Sequence, residues 1–79
     1  MTGNELRRRR EALGLSQAGV AVLVDPDSNA AWRRGTVYRW ERYGDRELPT
    51  AVGSLLEIRL EQLERAAFAE AESKRKATA

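Results

Sequence analysis

The chain has 79 residues, with 14 Lys and Arg against 12 Asp and Glu, a formal charge of +2, and neither Cys nor His. This length predicts one domain, near the lower limit at which a core without disulfides or metal maintains a fold. The lack of Cys and His excludes a disulfide scaffold and removes imidazole and thiolate nucleophiles and the usual zinc ligands. We therefore expect no enzyme, no metal site and no cofactor.

Hydropathy and arginine content narrow the class of protein further. No apolar run approaches the roughly 20 residues of a membrane span, and no secretory signal stands at the start, so we expect a cytoplasmic protein without a membrane partner. Arginine supplies most of the positive charge, which suits bidentate contacts with phosphate or guanine. A GC-rich genome would produce the same bias.

Charge and aromatic residues concentrate in one stretch. Residues 33–46 hold five arginines against two acids, a local charge of +3. Four of the five aromatic residues lie in or beside this stretch, at Trp32, Tyr38, Trp40 and Tyr43. We expect the partner of the protein to bind here.

The first helix is predicted from its capping residues. Thr2 followed by Glu5 fits a capping box, so the helix should begin near Gly3. Gly14 is a typical residue after a helix end. The run Arg7–Arg10 is interpreted as a solvated face, with a DNA-contacting arm as the alternative.

The second helix is bounded by local signals at both ends. Ser16 is a favourable N-cap. Pro26 biases Asp25 away from the helical region, so the helix should end by Val24.

The residue at which the third helix begins is predicted only as a range. Apolar and aromatic residues recur at helical spacing up to Gly44, and the helix begins between Ser28 and Arg33. Gly35 is a weak point inside it, costing about 1 kcal/mol relative to Ala.

The fourth helix follows Pro49, which suits the first helical position, and carries an apolar stripe from Thr50 onwards. The sequence is divided accordingly into a DNA-binding domain (1–57), a C-terminal helical extension (58–73) and a basic tail (74–79) that is expected to fray.

Several segments together resemble one family. Leu13-Gly14-Leu15-Ser16-Gln17, then Val20-Ala21, then Thr36-Val37-Tyr38-Arg39-Trp40-Glu41-Arg42 resemble the Cro and phage-repressor (Xre-type) helix-turn-helix family, over about residues 5–63. The resemblance implies an all-α bundle of about five helices with a lambda-repressor-like helix-turn-helix. Residues 25–35, which connect the second helix to the Thr36–Arg42 segment, form a longer connection than the turn of that family. They form either a longer loop ending at Trp32 or a backward extension of the recognition helix by two turns.

DNA-contacting residues follow from the resemblance and from side-chain chemistry. Arg34 and Arg39 have guanidinium groups that match guanine O6 and N7 in the major groove. Gln17, at the start of the second helix, is placed by the resemblance at a phosphate. Three further arginines flank the recognition helix and suit phosphate contacts. The expected DNA-binding residues are Gln17, Arg33, Arg34, Thr36, Tyr38, Arg39, Arg42 and Arg46.

Two expectations concern how the third helix packs. Val37 and Trp40 should face the core. In the resembling family an arginine of the first helix pairs with the acid that follows the Trp position, and Arg10 and Glu41 occupy these positions. If the pair is partly buried it fixes the first helix against the third, whereas an exposed pair contributes little.

Apolar residues continue along the fourth helix beyond Leu56, where the core is expected to end. A two-fold homodimer would cover them. The alternative is a monomer in which this helix folds back onto the first helix, with Leu60 and Leu63 covering Leu6 and Leu13. The expected dimer interface comprises Ile58, Leu60, Leu63, Ala67 and Phe68.

These features favour a sequence-specific transcriptional repressor of phage or bacterial type. It would bind double-stranded DNA as a homodimer at an inverted-repeat operator and take no small-molecule effector. The alternative is a helical adaptor, antitoxin-like or binding a host factor, with a remodelled DNA face. Asp25 and Asp27 favour the adaptor because acids near phosphates are repulsive, and so does the lack of a side chain at Gly35.

Overall fold

The computed structural model describes residues 1–27 and 30–78, with the backbone alone for residues 30–34, 77 and 78. This part of the chain contains four α-helices, α1 (Gly3–Ala12), α2 (Gln17–Val24), α3 (Ala30–Arg42) and α4 (Thr50–Thr78). The all-α class is confirmed, and none of these helices has the length and apolarity needed to cross a bilayer.

The expected number of about five helices is wrong for the described residues, because residues 50–78 form one continuous helix. Neither Gly nor Pro occurs after Gly53 to interrupt it. The basic tail predicted to fray also belongs to α4 as far as Thr78, and Ala79 lies outside the described residues. Basic side chains near the C-terminal end of a helix interact favourably with its dipole, which supports this last turn.

The caps of α1 and α2 are those predicted. The Thr2 hydroxyl accepts a hydrogen bond from the backbone N–H of Glu5 at 3.2 Å, and the Ser16 hydroxyl accepts one from that of Gly19 at 2.9 Å. Gly14 has φ of 72°, a left-handed conformation that favours glycine, and it reverses the chain between the two helices. The predicted end of α2 at Val24 is also confirmed.

The start of α3 settles the alternative left open for residues 25–35. The helix begins at Ala30, so Trp32 lies within it and the added residues extend α3 backwards rather than forming a loop up to Trp32. Ala30–Gly35 lengthen the helix by about 9 Å ahead of Thr36. Ser28 and Asn29 lie outside the described residues.

All four helices contribute to a single core, together with Leu48 before α4. Leu60 is fully buried in it, so the expectation that the core ends near Leu56 is wrong. Leu60 and Leu6 belong to the same buried cluster, which is the packing that the fold-back alternative predicts for these two residues. Leu60 is therefore unavailable as an exposed dimer contact, and Leu63 is half-buried. The buried core consists of Leu6, Val20, Ala21, Val37, Leu48, Leu56 and Leu60.

Arg9 joins α1 to α4. Its Nε and Nη2 donate to the Glu64 carboxylate at 2.9 and 2.6 Å, and its Nη1 donates to Glu57 at 2.7 Å. These hydrogen bonds raise the pKa of Arg9 and lower that of Glu64. The interpretation of Arg7–Arg10 as a solvated face is confirmed for Arg7 and Arg8 and wrong for Arg9 and Arg10, which are mostly covered.

The N-terminal turn packs closely against the segment after α3. The backbone N–H of Asn4 donates to the Gly44 carbonyl at 2.8 Å, and that of Gly3 donates to the Arg46 carbonyl at 3.2 Å. Gly3 is buried, and a Cβ there would overlap the backbone carbonyl of Trp40. A Cβ at Gly44 would overlap only the side-chain amide of Asn4. Both glycines therefore allow the N-terminal turn to approach the segment after α3 closely. An added Cβ would meet rigid backbone at Gly3 but only a movable side chain at Gly44.

We expect Gly3→Ala to destabilise the fold by roughly 1–3 kcal/mol, because the Trp40 carbonyl is held within α3. Gly44→Ala is the matched control and should cost less, because the Asn4 side chain can rotate away. Urea denaturation of the two variants measures the difference. An equal loss in both would show that α1 can shift along α3 and that the contact is not rigid.

Candidate nucleic-acid interface

One face of α3 is exposed and carries basic and aromatic side chains. Gly35, Tyr38, Arg39 and Arg42 follow the three- and four-residue spacing of a single helix face, and all four are exposed. Val37 is fully buried on the other side. The predicted phase of the helix is therefore confirmed for these residues.

Trp40 departs from the sequence prediction because it is only partly buried. It packs at the edge of the core and also lines a cavity of about 180 Å³ with two exposed arginines, Arg39 and Arg46. Tyr43 lines the same cavity, and its ring lies 5.1 Å from the Arg46 guanidinium carbon, a cation–π distance. The sequence did not predict this contact, and its only signal is that Arg46 follows Tyr43 by three residues in the segment after α3.

Three arginines of this surface have no carboxylate partner among the described residues. Within the described part of the chain, none of Arg39, Arg42 and Arg46 forms a salt bridge. All three are exposed. Their charge is therefore available to an anionic partner. Clusters of three or more acids that could hold a metal ion do not occur among the described residues.

The acid within α3 lies on the inner side of the helix. Glu41 accepts hydrogen bonds from Arg10 Nε and Nη2 at 2.8 and 2.9 Å, and the Glu41 and Arg10 side chains are only 5% and 13% exposed. These bonds raise the pKa of Arg10. Arg10 Nη1 also donates to the Leu15 carbonyl at 2.9 Å. The pair expected from the family resemblance is present and mostly buried, so Glu41 does not neutralise the exposed arginines.

Gln17 lies beside this pair at the start of α2. Its Nε2 is 3.3 Å from Glu41 Oε1, a hydrogen bond that holds the amide towards α3. A surface cavity of about 290 Å³ brings Gln17 together with Tyr38 and Arg42, and it is also lined by Arg7, Arg10 and Glu41. Two elements of the predicted DNA surface, the first turn of α2 and the exposed face of α3, therefore meet at one cavity.

Three further predicted DNA-contacting residues, Thr36, Arg33 and Arg34, also belong to α3. Thr36 is half-buried, at the edge of the exposed face. The side chains of Arg33 and Arg34 lie outside the described residues, although both residues belong to α3.

The predicted dimer residues divide into two groups. Ile58 and Phe68 are 57% and 68% exposed, and Ala67 is also exposed. Leu60 belongs to the buried core, and Leu63 is half-buried. Ile58 precedes Leu60 by two residues and so lies on the opposite side of α4, away from the core.

The buried pair between α1 and α3 gives a stability prediction. Glu41→Gln keeps the shape of the side chain but leaves the covered Arg10 charge without a counter-charge, and we expect a loss of roughly 2–4 kcal/mol. Glu61→Gln is the matched control, because the Glu61–Arg65 pair on α4 is largely exposed. Thermal or urea unfolding compares the variants.

Replacing both partners, Arg10→Met with Glu41→Leu, should recover part of the stability because no buried charge remains. Equal and small losses in Glu41→Gln and Glu61→Gln would contradict a structural role for the buried pair.

No protein family, curated protein or solved structure matches this chain. The case for a function therefore rests on the geometry and charge of α3 and its neighbours.

Proposed function

We propose that this protein is a sequence-specific DNA-binding transcriptional regulator, a small repressor of phage or bacterial type whose α3 enters the major groove. One observation carries the proposal. The exposed face of α3 presents Tyr38, Arg39 and Arg42 without a described salt-bridge partner, while the acid of the same helix, Glu41, is paired internally with Arg10. A cationic helix face of this kind suits a phosphate-lined groove.

The arrangement of α2 and α3 supports a helix-turn-helix of the lambda-repressor type. The two helices are consecutive and pack extensively against each other, and α1 also contacts α3. In such domains the second helix of the pair reads the groove while the first lies across the backbone. In this proposal α3 is the recognition helix and the first turn of α2 faces a phosphate.

Side-chain chemistry assigns the roles. Arg39, exposed in the last turn of α3, is the base-reading residue because its guanidinium matches guanine O6 and N7, and Arg34 is the second candidate. Arg42 and Arg46 contact phosphates on either side of the groove, as does Arg33. The Gln17 amide has two N–H donors, so it can bond Glu41 with one and a phosphate oxygen with the other.

A second function is favoured by the cavity of about 180 Å³ beside Trp40, Tyr43 and Leu48. Arg39, Arg46 and Glu47 also line it, so an apolar side chain from an acidic peptide would enter beside two cations and one acid. The protein would then be an adaptor that binds another protein through the same surface. DNA titration separates the two functions, because only the regulator binds duplexes tightly and with a preference for sequence.

DNA affinity should fall steeply with salt concentration, since displaced counterions dominate phosphate contacts. The measurement is fluorescence anisotropy with a duplex selected from random sequences and with a random duplex. Arg39→Ala should weaken binding to the selected duplex more than to the random one. Arg46→Ala should weaken both about equally and reduce the salt slope by about one.

Arg65→Ala is the charge-matched control, because Arg65 is exposed on α4 and paired with Glu61 at 2.6 Å. It should leave both affinities nearly unchanged. Equal losses for Arg39→Ala on selected and random DNA would remove its base-reading role. A folded protein that binds no duplex even at low salt would reject the regulator in favour of the adaptor.

The second partner in this proposal is another copy of the chain. Two recognition helices related by a two-fold axis reach half-sites of an inverted repeat about one DNA turn apart, near 34 Å. Ile58 and Phe68 provide exposed apolar surface on the long helix α4. The interface proposed therefore comprises Ile58 and Phe68, without Leu60, which is buried, and without Ala67, which follows Leu60 by seven residues and lies on the same side of α4 as Leu60.

Phe68→Glu should weaken the homodimer by about tenfold or more, because a carboxylate replaces an apolar contact. Sedimentation equilibrium of the intact chain and the variant gives the dissociation constants. Ala51→Glu adds the same charge at an exposed position near the start of α4 and serves as control. A truncation after Glu57 is unsuitable because it removes Leu60 from the core. A monomeric intact chain at micromolar concentration would refute the dimer.

A further inference from the structure

Gly35 occupies an unusual position for a glycine. It lies within α3, where glycine lowers helix stability relative to alanine. It is exposed, and apart from its chain neighbours and the backbone of its own helix, no described atom lies within 4 Å of the place where a Cβ would be added. Its backbone does not adopt a positive φ. Nothing described in the chain therefore requires a glycine here.

The surroundings of Gly35 are those of the proposed DNA surface. Tyr38, Arg39 and Arg42 follow it by three, four and seven residues, so all four positions share one face of α3. Because Gly35 lacks a side chain, it leaves a notch in that face where the main chain of the helix is open to solvent. The notch lies one helical turn before the proposed base-reading residue, Arg39.

We propose that Gly35 is the point at which a DNA duplex approaches the main chain of α3 most closely. This inference rests on the proposed DNA-binding function and deepens it. A strand of the duplex would occupy the notch in van der Waals contact with the helix backbone, as glycines allow where a backbone must approach a ligand. Gly35 is then a positioning residue that sets how deeply α3 enters the groove.

The depth of insertion determines what Arg39 can reach. With the helix backbone close to the duplex at Gly35, the Arg39 guanidinium extends to base edges on the groove floor. A side chain at position 35 would hold the helix farther out and leave Arg39 at the phosphates, which carry no sequence information. An added side chain should therefore reduce sequence preference more than overall affinity.

The chain contains a matched control for this inference. Gly53 is also a helical glycine at which an added Cβ would meet no described atom within 4 Å apart from its chain neighbours and its own helix backbone, but it lies on α4 beside Met1 and Leu48. An alanine at either position removes the same helix penalty. Only the alanine at position 35 adds an atom to the proposed DNA surface.

The experiment compares Gly35→Ala, Gly35→Leu and Gly53→Ala with the parent chain. Thermal unfolding should show a higher Tm for both alanine variants, by about 4–8 °C. Anisotropy titrations with the selected duplex should show at least about a tenfold loss of affinity for Gly35→Ala and a larger loss for Gly35→Leu. The loss on random duplex should be smaller, and Gly53→Ala should bind both duplexes like the parent.

The binding results for the parent and the variants separate the inference about Gly35 from the proposed function. If the parent binds the selected duplex and Gly35→Ala binds it equally well or better, close approach at Gly35 is refuted while the proposed function stands. Equal losses in Gly35→Ala and Gly53→Ala would assign the effect to helix stiffness and also overturn the inference. If the folded parent binds no duplex, the proposed function fails and the inference fails with it.

Discussion

One guanidinium links three of the four helices. Arg10 of α1 bonds the Glu41 carboxylate of α3 through two nitrogens and the Leu15 carbonyl through the third, and Gln17 at the start of α2 also reaches Glu41. Three helices are therefore fixed at a single polar cluster. The apolar core is small, and hydrophobic burial alone does not specify orientation. Directional hydrogen bonds among mostly covered partners supply the angle at which α1 and α2 meet α3.

The same cluster determines where charge remains on the surface. Net charge is only +2, so an overall excess of cations does not explain an affinity for anions. The distribution of charge over the surface determines where an anion can bind. Glu41 forms a mostly buried salt bridge with Arg10, and Arg9 forms salt bridges with Glu57 and Glu64 on α4. The charges of these two α1 arginines near the core are therefore neutralised within the protein. The arginines of the exposed α3 face keep their charge available.

Local signals predicted the ends of helices well, and tertiary contacts explain the failures. Thr2 and Ser16 cap helices because a side chain bonds the backbone within a few residues, so the sequence alone reveals them. The partners of Arg9 are on α4, and apart from the seven-residue spacing of Glu57 and Glu64 no local pattern indicates them, so the sequence does not predict that Arg9 is covered. The burial of Leu60 is unpredictable for the same reason, because whether an apolar stripe meets its own core or a second chain depends on how the helices pack. The phase of α3 was recoverable from Val37 because an inward residue sets the face of its neighbours.

The backward extension of α3 changes how it would contact DNA in the proposed complex. In most helix-turn-helix domains the first residues of the recognition helix meet the bases. Here Ala30–Gly35 precede Tyr38 and Arg39 by one to two turns, and Arg39 and Arg42 lie in the last turn of α3. With its base-reading residue in its last turn, α3 would have to lie along the groove in the proposed complex rather than point into it with its first residues. In that orientation Asp27, which precedes α3, would lie towards the other end of the helix from Arg39, and this separation would reduce the repulsion between the acid and the phosphates beside Arg39.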